Sequence, residues 1–123
     1  MANPNMGAAS NIYGGISFDA DIATSASAIV SNAASSGTIV KINSLIISNI
    51  DGTNAADITA TVRNAAGGTT YSTLANTISV PADATLVVVS KDTSIYLQED
   101  MSIYLASSAA GDLSATCSYE TIS

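Results

Sequence analysis

Val80-Pro81-Ala82-Asp83-Ala84-Thr85, Leu86-Val87-Val88-Val89, Ser94-Ile95-Tyr96-Leu97, Glu99-Asp100, Met101-Ser102-Ile103-Tyr104-Leu105, Ala109-Ala110-Gly111-Asp112 and Leu113 to Ile122 follow one another through the last third of the chain. Short runs rich in β-branched and aromatic residues, separated by Pro, Gly and Asp, are the signature of successive strands. Within the last run Leu113, Ala115, Cys117 and Tyr119 fall at a two-residue period and share a face. Pro81 belongs just past a strand end, where its missing N–H costs no ladder bond.

The same cadence extends upstream. Ala56, Ile58, Ala60 and Val62 alternate with Asp57, Thr59, Thr61 and Arg63, the pattern of a strand with one buried and one wet face. Thr38 to Asn49 is the most apolar segment. There Val40, Ile42 and Ile46 point one way and Ile39, Leu45 and Ile47 the other, so a central strand covered on both faces is expected. Asp51-Gly52 reads as a tight hairpin turn that uses glycine at positive φ, and Asn64 to Gly68 as a loop tip. Further strands are expected at Ser25 to Val30, Tyr71 to Ala75 and Thr77 to Val80. The abundant alanine shows no 3.6-residue apolar stripe, which excludes helix as the main element.

These runs predict an all-β protein: an antiparallel β-sandwich of about eight strands, with a jelly roll or an immunoglobulin-like barrel as variants. Residues 1–22, rich in Gly, Asn and Ala with Ile12, Tyr13, Ile16 and Phe18 as the sizeable apolar groups, read as an extended N-terminal arm or an opening edge strand. Residues 23–123 form the single sandwich domain. A chain of 123 residues is long enough for one such core without staples.

With 47% apolar and 11% charged residues, the surface depends on Ser, Thr, Asn and Ala, leaving few charge barriers against protein neighbours. The net charge of -7, with Lys41, Arg63 and Lys91 as the cations, argues against nucleic-acid or membrane-surface binding. The N-terminal residues lack the basic and apolar regions of a secretion signal, so synthesis and folding in a cytoplasm are expected. Cys117 is the one cysteine and reads as a small buried apolar residue.

Histidine is absent, which removes Ser/His/Asp and Cys/His machinery. Ser90-Lys91 are adjacent, and neighbours on a strand face opposite sides, so a solvated loop edge explains them better than a Ser–Lys pair. Asp19/Asp21 and Glu99/Asp100 are paired carboxylates, but glycoside hydrolysis also wants aromatic platforms, and Glu99-Asp100 is explained by a tight turn. Calcium is the fairer question at Asp19/Asp21 and at Asp51 with Thr53 and Asn54; neither follows the EF-hand spacing, and the turn reading is favoured. Gly14-Gly15 and Gly67-Gly68 precede neither a Lys nor a helix and make no phosphate cradle. Tyr71, Tyr96, Tyr104 and Tyr119 fall inside strand runs and read as partly buried sheet residues rather than a ligand stack. No catalytic, cofactor or metal residue is assigned.

The runs Lys41-Ile42-Asn43-Ser44-Leu45-Ile46-Ile47-Ser48-Asn49-Ile50-Asp51-Gly52-Thr53, Val80-Pro81-Ala82-Asp83-Ala84-Thr85-Leu86, Ile95-Tyr96-Leu97-Gln98-Glu99-Asp100 and Ser118-Tyr119-Glu120 resemble small virion proteins of tailed bacteriophages, nearest to those of phages infecting marine bacteria and cyanobacteria. The resemblance covers residues 25 to 123. It implies a non-enzymatic virion component, foremost a capsid decoration or cement protein bound to the major capsid protein, with homo-oligomers expected and a trimer favoured at local three-fold sites. A neck, tail or fibre adaptor is the alternative within the virion, and a carbohydrate-binding module is the alternative outside it.

Overall fold

Turn residues between the apolar runs divide the chain into nine strands: β1 (Ile12–Asp19), β2 (Ser27–Asn32), β3 (Ile39–Asn49), β4 (Ala56–Arg63), β5 (Thr70–Val80), β6 (Thr85–Val89), β7 (Ile95–Leu97), β8 (Met101–Ser107) and β9 (Leu113–Ile122). The computed structural model describes residues 5–123. Short 3-10 turns at Met6–Ala8 and Lys91–Thr93 are the helical elements among those residues.

The strands form two antiparallel sheets packed face to face, a β-sandwich. The first has the order β1-β9-β3-β6, with β7 also on β3; the second has the order β2-β8-β4-β5. β6 pairs with residues 45–48 of β3 and β7 with residues 40–42, so they are two pieces of one strand broken by the Lys91–Thr93 turn. Counted that way the sandwich has eight strands. Its winding is that of a jelly roll, in which β1 pairs β9, β2 pairs β8, β3 pairs β6 and β7, and β4 pairs β5. Among the described residues, β4 and β5 are the consecutive strands that pair as a hairpin. Its tip carries Gly67 at φ 84, and the Gly67 N–H donates to the Asn64 carbonyl at 2.9 Å.

Between the sheets lies an aliphatic core in which Ile42, Leu45, Ile47, Ile58, Leu97, Ile103, Leu105 and Leu113 are fully buried. Each such side chain contributes roughly 1.5–3 kcal/mol of burial free energy. Two buried amides hold the loops at the ends. Asn32 Nδ2 donates to the carbonyls of Thr38 and Leu97, and Asn49 Nδ2 donates to those of Asn54 and Val80.

Several expectations are corrected. β3 does not bury both faces: a β-bulge between Ile42 and Ser44 inserts one residue, so Val40 and Ile42 and then Leu45, Ile47 and Asn49 all face inward. Ile46 is thereby turned to the outer face. Asp51-Gly52 does not make a hairpin, because β3 and β4 lie in different sheets. Its turn is held by the Asp51 carboxylate, which accepts from the Thr53 N–H at 2.8 Å, and Gly52 does not take a positive φ. Tyr71 to Ala75 and Thr77 to Val80 are a single bulged strand, β5, with Thr77 at φ 46 on the kink. Within the stretch 1–22, Ile12–Asp19 pairs with β9 along its whole length, so the sandwich starts at residue 12 rather than 23. Residues 1–4 of the expected arm lie outside the described residues.

Candidate interaction surface

The residues singled out for chemistry are dispersed by the fold. Ser90 caps the Lys91–Thr93 turn: its N–H donates to Thr93 Oγ1 at 3.0 Å and its hydroxyl lies 3.1 Å from the same atom, while Lys91 is exposed. Asp19 Oδ1 accepts from the Asp21 N–H, and Asp21 Oδ1 accepts from the Gly111 N–H at 2.7 Å, so this pair ties one loop to another. Asp100 sits at φ 62 in the turn between β7 and β8, and its carboxylate accepts from the Ala65 N–H at 3.1 Å. Its neighbour Glu99 is buried.

Asp51 is held below the usual carboxylate range, first by the Thr53 N–H and then by the Asn54 side chain. Asp112 is pushed above it, first by desolvation and then by the charge of Asp51. Among the described residues, no three His, Cys, Asp or Glu side chains are arranged to hold a metal ion.

Nor do the tyrosines meet. Tyr71 lies on β5 and Tyr104 on β8 in the second sheet, whereas Tyr96 on β7 and Tyr119 on β9 belong to the first. Tyr104 is covered by the β4–β5 hairpin, with the Arg63 guanidinium 5.0 Å from its ring centre. Tyr119 faces inward, and its ring fills the space where Gly15 on the neighbouring β1 has no side chain. Cys117 is fully buried, and desolvation pushes its thiol up to about 11. A thiol so placed is an inert core residue.

The fold does gather exposed apolar side chains on the outer face of the first sheet. Ser17 donates to the Ile29 carbonyl of the second sheet, which fixes Ser17 as inward and its neighbours Ile16 and Phe18 as outward. Phe18 lies opposite Thr116, Thr116 opposite Ile46, and Ile46 opposite Val87, so one row crosses all four strands, with exposed Phe18 and Val87 at its ends and half-buried Thr116 and Ile46 between them. Phe18 is 69% exposed, and Ile16 and Val87 are each 53% exposed. Beside Phe18, an open groove of about 400 Å³ is lined by Asp19, Ala20, Ile50, Ser114, Ala115 and Thr116 as well. Around the row the sheet carries Ser44, Ser48, Thr85, Ser114 and Ser118, so the face is apolar and hydroxylated with few charges. Contiguous exposed apolar groups of this kind mark contact surfaces.

Ile16 and Phe18 are visible in the sequence as sizeable apolar groups, but the row is not. Their partners Ile46 and Val87 come from distant segments, and Ile46 faces outward only because of the β3 bulge.

No protein-family model and no curated protein matches the chain. The fold is similar to that of a solved chain from Bacillus endospore appendages, described as a novel family of disulfide-linked pili. That likeness has a TM-score of 0.52 at 16% identity and covers 91% of this chain and 88% of that one. At this identity it is a likeness of fold.

Proposed function

We propose that this protein is a non-enzymatic structural subunit that works by protein–protein contact in a large assembly, and that the assembly is a phage particle on which it decorates the shell. The observation that carries the reading is the outer face of the first sheet, where exposed Ile16, Phe18 and Val87 and half-buried Ile46 stand among hydroxyl-bearing residues. Such a face gains free energy by leaving water against a complementary surface. The phage assignment is supported by the sequence resemblance over residues 25 to 123, and the jelly-roll winding is one that capsid proteins use. A shell component that binds only the assembled lattice stabilises that lattice by mass action.

A second reading, a subunit of a bacterial filament, is favoured by the fold likeness to an appendage protein. Disulfide linkage is a property of those pili; Cys117 is buried between the sheets here, so a filament of this chain would be held by noncovalent contacts.

Copy number discriminates. Quantitative mass spectrometry of purified particles is expected to find hundreds of copies for shell decoration, whereas a few to a few dozen place the protein in a neck, tail or fibre. Filaments formed by the purified chain alone support the second reading. Recovery of the protein only in the particle-free fraction, as a soluble monomer, overturns both. For the carbohydrate-binding alternative, the exposed tyrosines Tyr71 and Tyr96 do not form one platform, since they lie on different sheets.

A further inference from the structure

We propose that the free edge of β1 is a self-recognition site, at which two copies of this chain pair antiparallel about a two-fold axis centred on Gly15. The inference deepens the assembly reading by naming one contact within it.

Of the sandwich's four edges, three are blunted. β2 is bulged at Ile29, whose carbonyl already accepts the Ser17 hydroxyl. β5 carries repeated register shifts, and the fourth edge is broken between β6 and β7. Bulges and breaks of this kind are how sheets avoid pairing with other chains. β1 is different: Ile12 to Asp19 pairs with Ile122 to Ala115 without a single shift, and it holds no Pro, no Lys and no charge before Asp19.

The hydrogen-bond parity of this edge is fixed by its ends. Asn11 and Ser123 exchange N–H to carbonyl bonds at 2.9 Å in both directions, and the Ile22 N–H donates to the Leu113 carbonyl. Odd-numbered residues of β9 therefore bond toward β1, which makes Tyr13, Gly15, Ser17 and Asp19 the bonded positions of β1. Ile12, Gly14, Ile16 and Phe18 must then aim their N–H and carbonyl groups away from β9. Among the described residues β1 pairs with β9 alone.

An antiparallel pair about Gly15 sets Ile12 opposite the partner copy's residue 18 and Gly14 opposite its residue 16. All four outward N–H groups and all four outward carbonyls of each copy then find partners. No other two-fold register along this strand uses every one of them. The side chains agree with it: exposed Phe18 meets exposed Ile12, and Ile16 lies beside the space that Gly14 leaves open. Asp19 falls opposite an Asn11 amide instead of a second carboxylate. A second copy suits the edge for a further reason, since a chain of net charge -7 approaches itself most readily along a strand that is neutral from Ile12 to Phe18.

The test is sedimentation equilibrium of the full chain with three variants. Wild type is expected at twice the chain mass in the micromolar range, with dimerisation strengthened by added salt because both copies are acidic. Ile16→Pro removes an N–H that β9 does not use, so it should leave the circular dichroism unchanged and weaken dimerisation at least tenfold. Ile12→Lys with Phe18→Lys places like charges opposite each other and should abolish dimers, whereas Ile12→Lys with Phe18→Glu should restore them. Both positions are exposed, so these pairs also serve if the proline variant unfolds. A wild type that stays monomeric overturns the proposal, as does an oligomer that survives Ile16→Pro in folded protein. Particle binding by such a monomer, measured separately, would leave the assembly reading standing.

Discussion

Replacing Gly67 with alanine tests the packing of the β4–β5 hairpin against a matched control. Gly67 sits at φ 84, where a side chain costs about 1–2 kcal/mol by its clash with the backbone. A Cβ there would also fall 2.4 Å from Cζ and Oη of Tyr104 and 2.8 Å from its Cε2. To clear it, the ring or the hairpin must move. The ring lies under Arg63, whose Nη1 donates to the Gly67 carbonyl at 3.3 Å. The hairpin is tied down by Ser102 Oγ donating to the Asn64 carbonyl and by the Ala65 N–H donating to Asp100. Overpacking of this kind costs about 1–3 kcal/mol, giving a total of about 2–5 kcal/mol. Gly111 has nearly the same φ, 85, but open space where its Cβ would go. Gly111→Ala therefore carries the backbone cost alone, and the difference between the two variants reads the clash. Urea unfolding followed by circular dichroism and tyrosine fluorescence measures both, since the chain has 5 Tyr and no Trp. Adding Tyr104→Leu to Gly67→Ala should recover at least about 1 kcal/mol relative to additivity. A Gly67→Ala variant no less stable than Gly111→Ala refutes the reasoning.

Asn49→Ala should lose about 2–3 kcal/mol in the same assay, because it strands the buried carbonyl of Val80 and removes the acceptor of the Asp51 N–H. Asp112→Asn should raise the melting temperature at pH 7. The folded pKa of Asp112 is raised, so its contribution to stability is present when it is protonated and is lost as the pH rises through that value. The advantage of the amide should close below about pH 4, the range of an unfolded carboxylate, and an equal gain at pH 3 and pH 7 would remove the electrostatic cause. Cys117 should resist aromatic disulfide reagents at pH 8 in the native state and react only at the rate of unfolding, since burial leaves its thiol protonated up to about 11; rapid native-state labelling would contradict that burial.

The sequence is most legible where side-chain parity runs unbroken. The alternation over Ala56 to Ala60 and the shared face of Leu113, Ala115 and Cys117 reappear in the buried positions of β4 and β9, whereas Thr61, expected on the wet face, is buried and Val62 is half-buried. Parity failed where the backbone inserts a residue. The bulge near Asn43 converts an apparent two-faced strand into one with a single buried face, and nothing in the local composition marks it. Strand order is encoded still less locally. That β1 lies against β9, a hundred residues away in sequence, follows from a rolled topology satisfying all strands at once. The contact face was illegible for the same reason, because its row takes one residue from each of four separated segments.

The same geometry links the two surfaces. Side chains and backbone groups alternate together along β1, so the residues whose N–H and carbonyl groups leave the edge, Ile16 and Phe18 among them, are also those that project from the outer face of the first sheet. Pairing two copies at β1 thus joins their outer faces into one continuous surface and brings each Phe18 beside the partner copy's Ile12. It also creates a two-fold relation at this edge, so three-fold or filamentous order must arise from another part of the molecule. The outer face is available for that role because edge pairing leaves its far side free: Val87 and Tyr96 lie on the opposite margin of the sheet from β1. Two contacts on one sheet, one made by backbone and one by side chains, are sufficient for a subunit to join a neighbour and still meet a second surface.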